Sequence, residues 1–313
     1  MLSYDTFLTA VYVRVDDFCK AHPGLLARLC SGPGEATALS PAEVATLAIF
    51  GQWGRFRSEQ DFYRFAQQRL RPLFPALPVR TQFNRAQRRY EPLLCAFFQH
   101  LARELGARES PYEVLDRTGL VTRASGRRGA EWLHGYAKKG WCSRMKYFHG
   151  LQLLCAGTAE GLITGGALAD GSTKDQPMAA ALLALRRNPD ARFAWAGQPA
   201  ASGTYVLDKG FSGRKRHAEW AAWYQAHVVC APQKGHGPAW PKPLRRWLAG
   251  LRQIIETVHD RLLNTFRLER ERPHTMQGLF ARLSAKAALH NVCIWLNRQL
   301  GRPDLAFADL LAW

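Results

Sequence analysis

Two short segments each end an apolar run in an aspartate that could perform chemistry. The first reads VLDRTG, with Asp116 as its aspartate, and the second reads VLDKGF, with Asp208. An apolar run of this kind predicts a β-strand, so a rigid sheet would hold each carboxylate at a strand end. Aspartate is also common in turns, and a turn aspartate is the simpler interpretation of either one alone.

A glutamate on a predicted helix is the third candidate. Glu256 follows Arg252 by four residues and flanks the apolar stripe of a long amphipathic helix. Alone, the two would form an exposed ion pair that contributes only ~0.3–0.5 kcal/mol. Together with the aspartates, Glu256 makes an all-oxygen set of the kind that binds Mg²⁺ and leaves positions open for phosphate oxygens. The set therefore predicts phosphodiester chemistry with two metal ions.

The charge of the chain predicts a polyanionic partner. Its 313 residues include 43 Lys and Arg against 25 Asp and Glu, a formal net charge of +18. Each basic residue placed on a phosphate releases condensed counterions, so nucleic acid is the predicted partner. An anionic membrane, or a basic surface kept for solubility, is the alternative.

The densest basic stretch lies between residues 117 and 146, where eight basic residues accompany one acidic residue and aromatic rings interleave with them. Basic side chains bind phosphates, and flat rings stack on unpaired bases. We therefore predict DNA binding here, with a flexible basic loop as the alternative. The candidate residues are Arg127, Arg128, Lys138, Lys139 and Lys146.

Helical periodicity dominates the chain up to about Ala107. A helix is predicted to start at Ser40, because a proline follows and Glu43 stands three residues after the cap. Further on, Arg85, Arg88 and Arg89 fall on one face of a predicted helix. Such a face could meet DNA as in a helix-turn-helix, and an ordinary solvated basic face is the alternative.

Strand patterns replace helical ones near Ser110. The order β-β-β-α-β-α-β-α predicts an α/β fold with a five-stranded mixed sheet covered by helices. The predicted strands are 112–115, 146–156, 162–169, 204–207 and 227–231, and the predicted helices are 178 to about 187, 213–226 and 244–266. We expect two domains, an all-helical N-terminal DNA-binding or accessory domain at 1–109 and a catalytic domain with C-terminal helices at 110–313.

The cysteines and the lengths of the apolar runs indicate where in the cell the protein is expected. The seven cysteines are scattered and never spaced as a zinc or redox motif, which is typical of reduced thiols. No apolar run approaches the ~20 residues of a membrane helix. We therefore expect a cytoplasmic protein with no membrane partner. A lone histidine such as His259 is more typical of a core or surface position than of a ligand.

At its acidic residues the sequence resembles the DDE transposases of bacterial insertion sequences. The matching motifs occur in order, as VLD at Asp116, YVLDKGF at Asp208 and RQIIET at Glu256, and the similarity spans roughly residues 38–300. The resemblance implies a ribonuclease H-like catalytic domain. It also implies that these three carboxylates form a catalytic triad that binds two Mg²⁺ ions, with Mn²⁺ as a substitute, and that Arg252 supports the glutamate or contacts DNA.

The resemblance implies an enzyme that cuts DNA at insertion-sequence ends and joins the 3′-hydroxyl ends to target DNA. Its partners would be double-stranded DNA, both terminal inverted repeats and target, and a second copy of the chain bound to that DNA at the nucleoid. A DNA-binding relative without catalysis and a ribonuclease H-like nuclease without strand transfer are the alternatives. An intact triad favours the enzyme, because three carboxylates would weaken DNA binding in the absence of metal.

The sequence departs from the broad family pattern at two positions. Many relatives carry tyrosine and lysine where this chain has Ala249 and Leu263, and Lys209 or Arg261 could supply the missing basic contact. Asp170 and Asp175 lie beside the third predicted strand, and either could replace a member of the triad if that strand is shifted.

Overall fold

The structure is a computed structural model that describes residues 1–30, 38–123, 133, 135–188, 195–233, 235, 238–271 and 274–313. In chain order the elements are β1 (Leu2–Ser3), α1 (Tyr4–Ala21), α2 (Pro23–Cys30), α3 (Pro41–Phe50), α4 (Glu59–Phe65), α5 (Arg80–Arg89), α6 (Glu91–Glu104), β2 (Glu113–Arg123), β3 (Lys138–Cys142), β4 (Lys146–Thr158), β5 (Ile163–Asp170), α7 (Asp175–Arg187), β6 (Thr204–Leu207), α8 (Arg214–Tyr224), β7 (His227–Cys230), α9 (Lys242–Asp260), α10 (Met276–Gln299) and β8 (Leu311–Ala312).

The chain folds into two compact units. The helical unit comprises residues 1–101, 264–267 and 276–313, and the sheet unit comprises residues 102–263 and 268–275. This division differs from the expected domains, which assigned the C-terminal helices to the catalytic domain. The reason is packing, because α10 is buried on nearly every face and supplies much of the core of the helical unit.

The helical unit is stabilised by local helix caps and by contacts between residues that are distant in sequence. The side chain of Ser40 caps α3 and Glu43 completes the capping box, as the sequence predicts. Inside the core, the Lys286 amino group donates hydrogen bonds to Gln52 Oε1 at 2.8 Å and to the Phe266 carbonyl at 2.7 Å. The region is not entirely helical, because β1 forms a small parallel sheet with β8.

The sheet unit contains one mixed six-stranded sheet. The long strand β4 pairs antiparallel with β2 on one side, and on its other side it pairs with β3 at its start and with β5 at its end. Beyond β2, strands β6 and β7 continue the sheet in parallel. Five of these strands correspond to the five predicted ones. The sixth, β3, escapes prediction because its sequence KKGWC contains two lysines and a glycine, while hydrogen bonds to β4 make it a strand.

Helices cover both faces of this sheet. Strand residues alternate between faces, so Leu115, Tyr205 and Leu207 share a core with α7 and α8. The opposite face packs against α9, which contacts β2, β4 and β6. The parallel strands, the single reversed strand β4 and the helices on both faces form the ribonuclease H-like fold that the sequence predicts.

A search of the helices in the described ranges found none that is long and apolar enough to cross a membrane.

Candidate active site

The register of two parallel strands brings the two aspartates to matching positions on neighbouring strands. The expected strand end is found for Asp208, which directly follows β6, and is wrong for Asp116, because hydrogen bonds to β4 continue β2 as far as Arg123. Val114 of β2 lies opposite Val206 of β6. Asp116 and Asp208 each follow two residues later, and paired strands lie about 4.8 Å apart. Because residues two apart in a strand share a face, Asp116 lies on the α9 side of the sheet, where Arg252 contacts it. The alternation of the two VLD segments thus positions both acids.

Asp116 is a largely buried carboxylate beside two side chains of α9. Arg252 donates to Asp116 Oδ1 across 3.4 Å, and His259 Nδ1 lies 3.7 Å from Asp116 Oδ2. Burial raises the pKa of Asp116 to about 6, although Arg252 opposes the shift, and the charges of Asp208 and Glu256 raise the pKa further. This carboxylate therefore lies in a position where an additional cation would be stabilised.

Asp208 combines a turn role with its place at the sheet edge. Its Oδ1 accepts a hydrogen bond of 2.7 Å from the Gly210 N–H and caps the short 3₁₀ turn Lys209–Phe211. Its own carbonyl accepts a hydrogen bond of 2.9 Å from the Cys230 thiol. The simpler sequence interpretation, a turn aspartate, is thus correct for Asp208 and leaves its second carboxylate oxygen outside the cap.

A fourth carboxylate lies next to Asp208. Asp175 is the first residue of α7 and forms an ion pair with Arg117 of β2. Gly210 separates the two acids, because a Cβ at this glycine would overlap the Asp175 carboxylate and lie 2.8 Å from Asp208 Oδ1. Burial raises the pKa of Asp175, Arg117 opposes the shift, and Asp208 adds to it.

Asp170, the other alternative acid, belongs to a separate network. It accepts hydrogen bonds from Ser172 and forms an ion pair of 3.0 Å with Lys138. The hydrogen bonds from Ser172 lower the pKa of Asp170 to about 2, and Lys138 contributes to that shift. Of the two alternative acids, Asp175 is therefore the neighbour of Asp208.

Glu256 reaches the site from the helix rather than from the sheet. It is exposed on α9, four residues after Arg252, and its charge acts on Asp116. In the described ranges, no group of three His, Cys, Asp or Glu side chains is arranged to hold a metal ion. The carboxylates of the site therefore do not form a complete set of metal ligands in this structure.

His259 is a neighbour of the site that the sequence interpretation missed. It is buried, and burial lowers its pKa to about 4, with Arg144 and Arg252 adding to the shift. The available signal was its spacing, three residues after Glu256 and seven after Arg252, which places it on the same helix face. The aspartate beneath that face could not be identified from the helix sequence alone.

The β3–β4 hairpin carries most of the described basic candidates of segment 117–146. Lys139 is exposed, and its ammonium lies 4.7 Å from the centre of the Tyr147 ring. Tyr147 pairs across the hairpin with Trp141, and these rings are 67% and 50% exposed. Lys138 forms an ion pair with Asp170, and Lys146 is exposed as the first residue of β4, directly after the hairpin turn, with a φ of 59°. Arg127 and Arg128 lie outside the described residues.

The three arginines of α5 are not equivalent. Arg85 is exposed, whereas Arg88 and Arg89 are half-buried. Arg89 donates hydrogen bonds of 2.9 Å to the carbonyls of both Leu29 and Cys30. These carbonyls belong to the C-terminal turn of α2, so Arg89 stabilises a helix end within the helical unit.

Comparison with known proteins identifies the family. A profile described as the transposase DDE domain matches residues 113–292. The match begins at the first residue of β2 and includes all three candidate acids. No curated protein and no solved structure matched the chain. Because the profile covers more than half of the 313 residues and its range contains the ordered acidic motifs on a ribonuclease H-like sheet, the chain belongs to the DDE transposases of insertion sequences.

Proposed function

We propose that this transposase cuts DNA at the ends of its insertion sequence and joins the resulting 3′-hydroxyl ends to target DNA by phosphoryl transfer. The observation that carries the proposal is the parallel register of β2 and β6, which brings Asp116 level with Asp208, the residue that directly follows β6. Membership of the DDE family supports the class of reaction.

Asp116, Asp208 and Glu256 are the proposed ligands of two Mg²⁺ ions. Their carboxylate oxygens are the donors that Mg²⁺ prefers, and Mn²⁺ accepts the same set. Asp116 suits this role because burial raises its pKa and Arg252 offsets only part of that rise, so a bound cation would stabilise the charged carboxylate. When bound, a pair of such ions activates the attacking oxygen and stabilises the leaving oxygen.

Side chains around the triad would orient the DNA. Arg252 lies beside Asp116, and a guanidinium binds phosphate in a bidentate geometry, so we assign it to the scissile phosphate. Lys209 is exposed one residue after Asp208 and is assigned to an adjoining phosphate. Neither residue need act as a nucleophile, because water and the 3′-hydroxyl serve that role.

Further DNA contacts are proposed on two surfaces. The hairpin carries Lys138, Lys139 and Lys146 together with exposed aromatic rings, a combination that binds phosphates and unpaired bases. The helical unit offers a second group at Arg85, Arg88 and Arg89, of which Arg85 is the most exposed. Arg127 and Arg128 are also proposed to bind DNA, on the basis of the sequence alone.

We further propose that the protein acts as a homodimer on DNA at the nucleoid. Strand transfer must hold two transposon ends, and each ribonuclease H-like site handles one. Sedimentation with and without a duplex carrying the terminal repeat tests the assembly. A complex that keeps one protein per duplex while both ends are joined would refute the paired-end arrangement.

The central experiment separates DNA binding from chemistry. Asp116→Asn and Asp208→Asn should abolish Mg²⁺-dependent cutting of a terminal-repeat duplex and leave its affinity unchanged or raised, because each removes a negative charge near the phosphate backbone. Asp260→Asn is the matched control, since it makes the same charge change at an exposed position of α9. Cutting at the wild-type rate by either Asn variant would refute the assignment.

A second assay distinguishes strand transfer from simple cleavage. A duplex that already ends in the 3′-hydroxyl is incubated with a supercoiled plasmid and Mg²⁺. Joined products that depend on Asp116 support the transposase, whereas cutting without any joining would favour a nuclease.

A further inference from the structure

The first half of α9 extends beyond the core of the sheet unit. Between Lys242 and Gly250, Leu248 is the one buried residue. In the second half, Ile255, Val258 and His259 are buried beneath the helix. The exposed half is therefore fixed in direction by the buried half and remains accessible along its length.

Arg245 lies in this exposed half on the same helix face as the site residues. Successive residues of an α-helix turn by 100°, so Arg245, seven residues before Arg252, differs from it by only about 20° around the axis. It differs from Glu256 by a similar angle. Along the axis, Arg245 stands about 10.5 Å from Arg252, at 1.5 Å per residue.

The sequence on either side of Arg245 contains no acidic residue. From residue 220 to residue 255 the sequence contains five lysines and arginines and no aspartate or glutamate. The side chain of Arg245 is exposed and has no hydrogen-bond or ion-pair partner among the described residues. Ala249 lies between Arg245 and Arg252 on the same helix face, and its small methyl side chain leaves this surface open.

We propose that Arg245 binds a backbone phosphate of the DNA strand whose scissile phosphate lies at Asp116 and Asp208. The proposal rests on the function proposed above for the position of the scissile phosphate. One phosphate occurs per ~3.4 Å of axis along a strand, so a strand following α9 would meet Arg245 about three nucleotides from the phosphate at Arg252. Arg245 is a binding residue that sets the register of the strand, and it takes no part in bond breaking.

Arg246 supplies the matched control. It is the next residue on the same helix, carries the same charge and is also exposed, but it projects about 100° away from the site face. Affinity for a fluorescent terminal-repeat duplex is measured by anisotropy without Mg²⁺, so that no cutting occurs. Arg245→Gln should weaken binding about fivefold at 0.1 M salt and lower the salt slope by about one, whereas Arg246→Gln should change little.

Methylphosphonate substitution locates the contact. Each phosphate within about six nucleotides of the cut site is neutralised in turn. One position, or two adjacent ones, should weaken wild-type binding about fivefold and leave Arg245→Gln unaffected, while Arg245→Lys retains the wild-type pattern. Equal effects of Arg245→Gln and Arg246→Gln, or additive losses at every position, would overturn the proposal.

The two proposals fail in distinguishable ways. If the triad is misassigned, Asp116→Asn still cuts DNA while the Arg245 phosphate contact remains measurable. If the Arg245 inference is wrong, cutting still depends on Asp116 and the methylphosphonate pattern is identical in Arg245→Gln and wild type.

Discussion

Arg252 donates a hydrogen bond to Asp116 across 3.4 Å, joining helix α9 to strand β2. The guanidinium is therefore the nearest positive charge to the carboxylate on which metal binding is proposed. Arg252 also opposes the rise in the pKa of Asp116 that burial produces. A cation arriving at Asp116 must share the carboxylate with this charge or displace it.

Replacing Arg252 should affect metal binding and cutting in opposite directions. Arg252→Gln removes a positive charge beside Asp116, so Mn²⁺ should bind the DNA-free protein several-fold more tightly, because like charges repel at short range. Cutting should fall at least tenfold, since the scissile phosphate loses its guanidinium. Titration calorimetry with Mn²⁺ measures the first effect. Weaker Mn²⁺ binding by the variant would instead mean that Arg252 holds Asp116 in its ligand geometry.

Gly210 should not tolerate a side chain. In Gly210→Ala the new Cβ would overlap the Asp175 carboxylate and press on Asp208 Oδ1, so we expect cutting to fall at least tenfold in a folded protein. Gly250→Ala is the control, because nothing lies within 4 Å of the added carbon and alanine favours the helix by ~0.5–1 kcal/mol. Thermal melts accompany the cutting assay. Wild-type cutting by Gly210→Ala would show that the exact position of Asp208 is unimportant.

A buried ion pair fixes the start of β2 to the end of α7. Glu113 and Arg186 are each 1% exposed and are joined at 2.6 Å, and Tyr205 accepts a further hydrogen bond of 2.9 Å from Arg186. Arg186→Met would leave a buried carboxylate unpaired, which should lower the free energy of unfolding by about 3–5 kcal/mol. The double variant Glu113→Gln with Arg186→Met should recover part of this loss. Denaturant melts in which the two single losses simply add would contradict the coupling.

Two neighbouring lysines should contribute unequally to DNA binding. Lys138 is paired with Asp170 at 3.0 Å, whereas Lys139 lies against a ring and keeps its charge available. Lys139→Ala should therefore reduce the salt dependence of duplex affinity by about one charge, and Lys138→Ala should reduce it less. Equal slopes for the two variants would show that Asp170 releases Lys138 when DNA binds.

Local patterns predicted the sheet well where the strands are apolar. The runs that end at Asp116 and Asp208 identified β2 and β6, which are neighbouring strands as expected, and the structure shows that they pair in parallel. The full length of β2 did not follow, because the polar and glycine residues from Asp116 to Gly119 interrupt its apolar pattern and hydrogen bonds to β4 continue the strand. Strand β3 was missed for the same reason.

Features that depend on packing between distant parts of the chain could not be predicted from the sequence. Nothing local distinguishes α10 as part of the helical unit, since its contacts with α3 join residues more than 200 positions apart. In the site, the strand end before Asp208 is as predicted, whereas β2 continues past Asp116. Arg117 beside Asp175, and His259 beside Asp116, could not be predicted, because each pair joins different elements whose faces meet only in the folded sheet unit.

The pairing of Leu2–Ser3 with Leu311–Ala312 has a consequence for synthesis on the ribosome. The sheet unit is nearly continuous in sequence and can fold as soon as it emerges. The N-terminal helices of the helical unit are synthesised before α10, which begins about 175 residues after Leu101. Synthesis of these intervening residues takes roughly 10–35 s at ordinary translation rates. During that interval the apolar faces of α1 and α3 remain without their final partner and are natural substrates for a chaperone.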